Sequence, residues 1–242
     1  MPTIYAADTD GYLYNYTTDT WVNVRGAGTA THAGASVTRY SRAIRTFHTA
    51  GRGGDTYFVG RSFFAFDTSG ITATVASATL KIYGFSNDDA GGVIAVKATA
   101  PDLSTDIAVA DFDAITGFSA GNTMSGNVTD YSSELATWTT SGYNEITLNA
   151  QALSDMVSGD VLKICVVEHD HDYSNSAPSN ADFDNGCYFS EYSSTSRDPY
   201  IDYTLAAGAQ VAKVSGVAEA SISTVSGVAN ASIASIIDVD MP

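Results

Sequence analysis

Positive charge is scarce in this chain: 11 Lys+Arg stand against 27 Asp+Glu in 242 residues, a formal net charge of −16. Such a surface repels phosphate backbones and anionic lipid, so neither nucleic acid nor membrane insertion is expected. Charge of either sign is sparse, at 16% of residues, which leaves Ser, Thr, Asn and Gly to cover the surface. Apolar runs long enough to span a bilayer are lacking. The opening residues Met1–Asp8 have neither the basic nor the apolar region of a secretory signal, so the expected route out of the producing cell is lysis. Cysteine is limited to Cys165 and Cys187, too few for a disulfide framework. They read as two buried thiols or as one cross-strand bridge, side by side if the chain forms a hairpin centred on Ser176. Metalloprotease H-E-x-x-H, P-loop and dinucleotide fingerprints are missing, and no enzyme is expected.

What is present is strand. Ile4–Ala6, Gly11–Tyr16, Thr20–Arg25 and Ala43–His48 read as early strands, with residues 26–36 as loop. Tyr57–Phe66 is strongly apolar and continuous enough to suit the centre of a sheet. Ala78–Tyr83 alternates, with Ala78, Leu80 and Ile82 on one face and Thr79, Lys81 and Tyr83 on the other. Val93–Ala98 reads as its hairpin partner. Residues 101–142 read as long connections with a helical turn near Asp111. Tyr143–Leu148 is a strand, and Asn149 then caps a short helix that carries Leu153, Met156 and Val157 and stops at Gly159. Val161–Val167, Gly186–Tyr192 and Pro199–Leu205 complete the set. Many short strands with one helix and Gly-rich turns predict an all-β antiparallel sandwich over residues 1–205.

Three segments carry a resemblance. Arg61-Ser-Phe-Phe-Ala-Phe-Asp-Thr-Ser-Gly-Ile71, Val75-Ala-Ser-Ala-Thr-Leu-Lys-Ile-Tyr83 and Ser190-Glu-Tyr with Asp198-Pro-Tyr-Ile-Asp-Tyr203 are similar, in the same order, to DNRLRE-type, carbohydrate-binding-module-like jelly rolls. The namesake hexapeptide is absent. The resemblance implies a jelly roll and a sugar ligand.

Composition changes after Leu205. Val214–Thr224 and Val225–Ser235 are two copies of an 11-residue repeat with eight identities, and Ile236 opens a broken third. On a helix, Val214, Val217, Ile222, Val225, Val228, Ile233 and Ile236 fall within roughly 160°. Gly216 and Gly227 and the β-branched residues argue equally for strands with tight Ser-Gly turns. Either form is too short to bury its apolar side alone, and each such side chain contributes on the order of 1.5–3 kcal/mol when buried. The segment 206–242 is therefore expected to dock or oligomerise, as a trimer for instance. Its V-S-G-V-A-x-A-S-I pattern resembles tails of structural proteins of marine bacteriophages, which implies other virion proteins as partners and the virion surface as location.

Two further sites are candidates. Glu168, Asp170 and Asp172, alternating with His169 and His171, face Asp182 and Asp184 across a loop. They could chelate Ca2+ or form a solvated loop. Asp8-Thr-Asp-Gly11 resembles the first half of a calcium loop but lacks the rest and reads as a turn. Trp21, Trp138 and Tyr14 could stack on the sugars of a host-surface glycan, or fill sheet faces like most Tyr in such a fold. The leading expectation is a structural protein on a bacteriophage particle, a capsid decoration, fibre or tail-fibre component; the alternative is an extracellular carbohydrate-binding module.

Overall fold

The computed structural model describes residues 1–88 and 91–206 and, in the tail, the residue pairs 213–214, 217–218, 224–225 and 228–229. Eleven strands form the body: β1 (Thr3–Tyr5), β2 (Gly11–Thr18), β3 (His32–Ala35), β4 (Arg39–Thr49), β5 (Thr56–Asp67), β6 (Val75–Asp88), β7 (Val93–Lys97), β8 (Tyr143–Thr147), β9 (Val161–Glu168), β10 (Asp182–Tyr188) and β11 (Tyr200–Leu205). All pairings are antiparallel, and the result is an all-β sandwich.

Two long strands hold the sandwich together because each changes neighbours along its length. The first half of β6 lies between β8 and β11, while its second half, Gly84–Asp88, pairs with β10. β5 keeps β2 on one side; on the other it pairs with β4 up to Gly60 and with β9 from Ser62 onward. The main core fills the space between the layers with Phe64, Phe66, Leu80, Ile82, Ile146, Ile164 and Ile201.

A second core covers the other face of β5, β9 and β7. Val59, Phe63, Ile94, Val96, Cys165 and Val167 meet Ile107, Phe112, Ile115 and Met124 from the long connection. Burial on both faces explains why Tyr57–Phe66 reads as strongly apolar and is buried at every position. It also decides the partner of β7. Val93–Val96 are all buried, which needs cover on two sides, and β7 pairs with β9 rather than with β6 as its alternation suggested.

Trp21–Arg25 is a helix, α1, not a strand. Thr20 accepts from the Asn23 amide, and Asp19 accepts from Thr20 N at 2.6 Å and from Asn23 Nδ2 at 2.8 Å. Winding the chain puts Trp21, Val24 and Arg25 on one buried face. The helix expected after Asn149 is α2 (Ala150–Ser158), with Asn149 Oδ1 accepting from the Gln151 and Ala152 amides at 3.0 and 3.1 Å. The turn near Asp111 is a 3-10 helix at Val109–Asp111. The segment 26–36, expected as loop, contains β3 on the sheet edge beside β2. Among the described residues no helix is long and apolar enough to cross a membrane.

Cys165 and Cys187 are free, buried thiols. The chain from β9 to β10 is not a hairpin: β9 lies beside β5 and β7, β10 beside β4 and β6. The two sulfurs therefore belong to different cores.

Candidate functional site

The acidic run at the end of β9 is folded inward. Glu168 ends the strand, and its carboxylate accepts from the Asp170, His171 and Asp172 amides at 2.7, 2.8 and 3.2 Å and from Thr46 Oγ1 at 3.0 Å. With three N–H groups gathered on one carboxylate, residues His169–Tyr173 wind into a single π turn. His and acid do not take opposite faces of an extended chain as the alternation implied. Asp172 is wholly buried between Arg61, which donates Nε to Oδ2 at 2.7 Å, and Arg25, whose Nε reaches the Asp172 carbonyl at 2.7 Å. Phe112 and Phe118 lie against the Arg61 guanidinium. Glu168 and Asp172 are thus structural partners of amides and guanidinium groups rather than a chelating pair.

The remaining expected metal residues separate into two groups, in the second of which Asp184 is buried. Asp170 stands with His169 and Glu134, and Asp182 and Asp184 stand with Asp88, each set with ligand atoms within 4.8 Å of one another. Arg45 already holds Asp182 through both carboxylate oxygens, at 2.6 and 2.5 Å. Burial, and next the Asp182 charge, push the Asp184 carboxyl up to about 6.

The two tryptophans face inward. Trp21 donates Nε1 to Asn175 Oδ1 at 3.1 Å, Trp138 donates Nε1 to the Gly186 carbonyl at 3.1 Å, and both are buried. Their rings are not a platform for sugar. Tyr14 lies within an aromatic stack, 4.6 Å from Phe58 and 4.9 Å from His32 between centroids, beside the Tyr12–Tyr40 pair at 3.9 Å.

A second aromatic cluster lies elsewhere, on the outward face of β6, β8, β10 and β11, its rings half-buried except Tyr188, which is buried. Tyr143 meets Tyr83 and Tyr200 edge-on at 5.1 and 4.9 Å, and Tyr188 meets Tyr83 and Tyr192 edge-on at 5.6 and 5.2 Å. Arg39 lies over Phe85 at 4.1 Å, and Arg197 lies over Tyr188 at 4.7 Å and donates to its hydroxyl. Burial raises the Tyr143 and Tyr200 hydroxyls above the usual phenol range, so both stay protonated donors at neutral pH. Aromatic rings interleaved with guanidinium groups can stack on pyranose faces and bond their hydroxyls. The signal was in the alternation that sets Lys81 and Tyr83 on one face of β6, and in Tyr143, Tyr188 and Tyr200 on the strands around it.

One nucleophile-elbow spacing does occur, Gly117-Phe-Ser-Ala-Gly121. It falls in irregular loop with Ser119 exposed, rather than at the sharp strand-to-helix turn that such a serine needs.

In the tail the described residues are strand. Lys213–Val214 (β12) pairs with Val217–Ala218 (β13), and Thr224–Val225 (β14) pairs with Val228–Ala229 (β15), with Val214↔Val217 and Val225↔Val228 in register. The helical alternative does not hold for these residues; Ile222, Ile233 and Ile236 lie outside the described residues. The chain leaves the sandwich where the Ala206 amide donates to the Thr74 carbonyl at 2.8 Å. An apolar groove of about 430 Å³ opens there, lined by Thr74, Val75, Leu153 and Val157. No family model matches the chain, and the search of curated proteins finds no match.

Proposed function

We propose that this chain is a non-catalytic structural protein of a bacteriophage particle, its sandwich turned outward and its repeat tail holding it in place. The observation that carries the reading is the pair of hairpins, identical in register and one 11-residue repeat apart. The body is closed without them, since β11 already sits between β1 and β6 and buries Ile201 completely. A two-stranded hairpin is marginal on its own in water, so the tandem hairpins need cover, and we assign that cover to another chain, a second copy of the tail or a neighbouring virion protein. Labelling particles with an antibody to the sandwich tests it: the label decorates particles, and particles carrying the chain without residues 206–242 lose it.

The outward aromatic face favours a second reading, in which the sandwich, a jelly roll of DNRLRE type, holds host-surface polysaccharide. The two readings are compatible, since a displayed sandwich that grips glycan assists adsorption. They part if the chain is monomeric and still retains a sugar.

A further inference from the structure

Helix α2 carries more apolar surface than the core takes up. Ala152 and Met156 are fully buried, while Leu153 is half-buried and Val157 stands 37% exposed. Leu153 and Val157 are four residues apart and so share one side of the helix. With Thr74, Val75 and Ala150 they line the groove of about 430 Å³, and no charged side chain lines it. Large apolar side chains left uncovered in a concave surface mark a contact site.

The groove lies where the tail begins. β11 runs antiparallel to β6, and its last residue, Leu205, lies opposite Val75, the first residue of β6. The Ala206 amide then donates at 2.8 Å to the carbonyl of Thr74, which itself lines the groove. At that point the chain runs off the end of its sheet. To fill its own groove it would have to turn back across Thr74; continuing forward, it leaves the sandwich. The first hairpin follows, Lys213–Val214 paired with Val217–Ala218 and Val214 opposite Val217. From Ala206 to Lys213 the chain reaches at most about 25 Å. That is enough to cross onto an abutting sandwich and too short to pass over it to a distant surface. Copies gathered around their tails therefore hold their grooves within reach of one another's first hairpin.

We infer that the groove seats the first tail hairpin of a second copy, bringing the Val214–Val217 pair to Val75, Leu153 and Val157. The inference rests on the reading that the tail finds its cover on another chain, and it names the surface that supplies it. Closing the groove removes the exposed side of Val157 from water together with the hairpin. Hairpin and groove are different patches, so the contact is head to tail, and copies joined through it close into a ring.

Cross-linking tests it. Full-length Val157→Cys and Val217→Cys chains are co-expressed and treated with a mild oxidant; Cys165 and Cys187 are buried and do not compete. The expected product is a disulfide between position 157 of one chain and position 217 of the other, identified by digestion without reductant. Val157→Asp, at an exposed position that folding tolerates, is expected to weaken self-association about tenfold or more in sedimentation. Val22→Asp and Val109→Asp, at positions exposed elsewhere, leave it unchanged. A chain carrying both cysteine substitutions that links only within itself overturns the second-copy seat. A full chain that oligomerises, or binds particles, with no cross-link and no loss in Val157→Asp overturns the seat and leaves the tail-anchored display standing. A full chain that is monomeric and does not bind particles overturns both.

Discussion

Arg61 and Asp172 face each other as a two-bonded ion pair without solvent contact, Nε 2.7 Å from Oδ2 and Nη2 2.8 Å from Oδ1. Arg61 also donates to the Phe112 and Arg25 carbonyls, at 2.7 and 3.0 Å, so one guanidinium ties β5 to the π turn, the long connection and α1. Breaking a buried pair leaves an uncompensated charge, and Asp172→Asn is expected to cost about 3–5 kcal/mol in urea unfolding. Glu145→Gln, which removes the exposed partner of Lys81, is expected to cost about 1 kcal/mol or less. Equal small losses would show that the buried pair does not organise the second core.

Glu191, Asp198 and Asp184 set the pH dependence of stability. Burial raises them to about 7, 6 and 6. Between the ordinary carboxylate range and those values, the native state keeps protons that the unfolded chain has released. Stability must then fall as pH rises through that window. The urea midpoint is expected to be lower at about pH 8 than at about pH 5, and a rise would contradict the assignment.

Burial pushes the thiols of Cys165 and Cys187 far above their usual range. Thiolate is the reactive form, so the native protein is expected to resist a thiol reagent until denatured, then to label at both positions. Reductant should leave Tm unchanged. A disulfide-linked peptide after non-reducing digestion would contradict this.

On the aromatic face, Tyr188 is the ring most surrounded by others, meeting Tyr83, Phe85 and Tyr192 edge-on. If host polysaccharide binds there, Arg197→Ala and Tyr200→Ala each weaken retention on immobilised polysaccharide about fivefold or more, since one ring or charged hydrogen bond contributes on the order of 1 kcal/mol. Tyr14→Ala, on the separate stack, should not change it. The reverse ranking would move the ligand to the Tyr12–Tyr14–Tyr40 surface.

Long periodic stretches were legible in the sequence, and packing across many residues was not. Tyr57–Phe66 and Asn149–Gly159 read correctly because apolar runs and caps are local signals. Trp21–Arg25 is five residues long, too short for period 2 and period 3.6 to differ, and side-chain capping by Thr20 and Asp19 decides it. Val93–Val96 was recognisable as strand, but its partner depends on which sheet is buried on both faces. The Glu168–Asp172 run looks like a chelating loop until Arg25 and Arg61, over a hundred residues away, come into contact with it. Asp8-Thr-Asp-Gly11 read as a turn, and Asp8 and Thr9 are one; that Asp10 would be buried against Ser190, 180 residues away, was not legible locally.

Sedimentation velocity of the full chain beside residues 1–205 tests the tail-anchored display most directly. Tandem hairpins that find cover only on another chain make the full chain a discrete oligomer and leave the sandwich monomeric. A full chain that sediments as a monomer at every concentration, and does not bind purified particles, contradicts it.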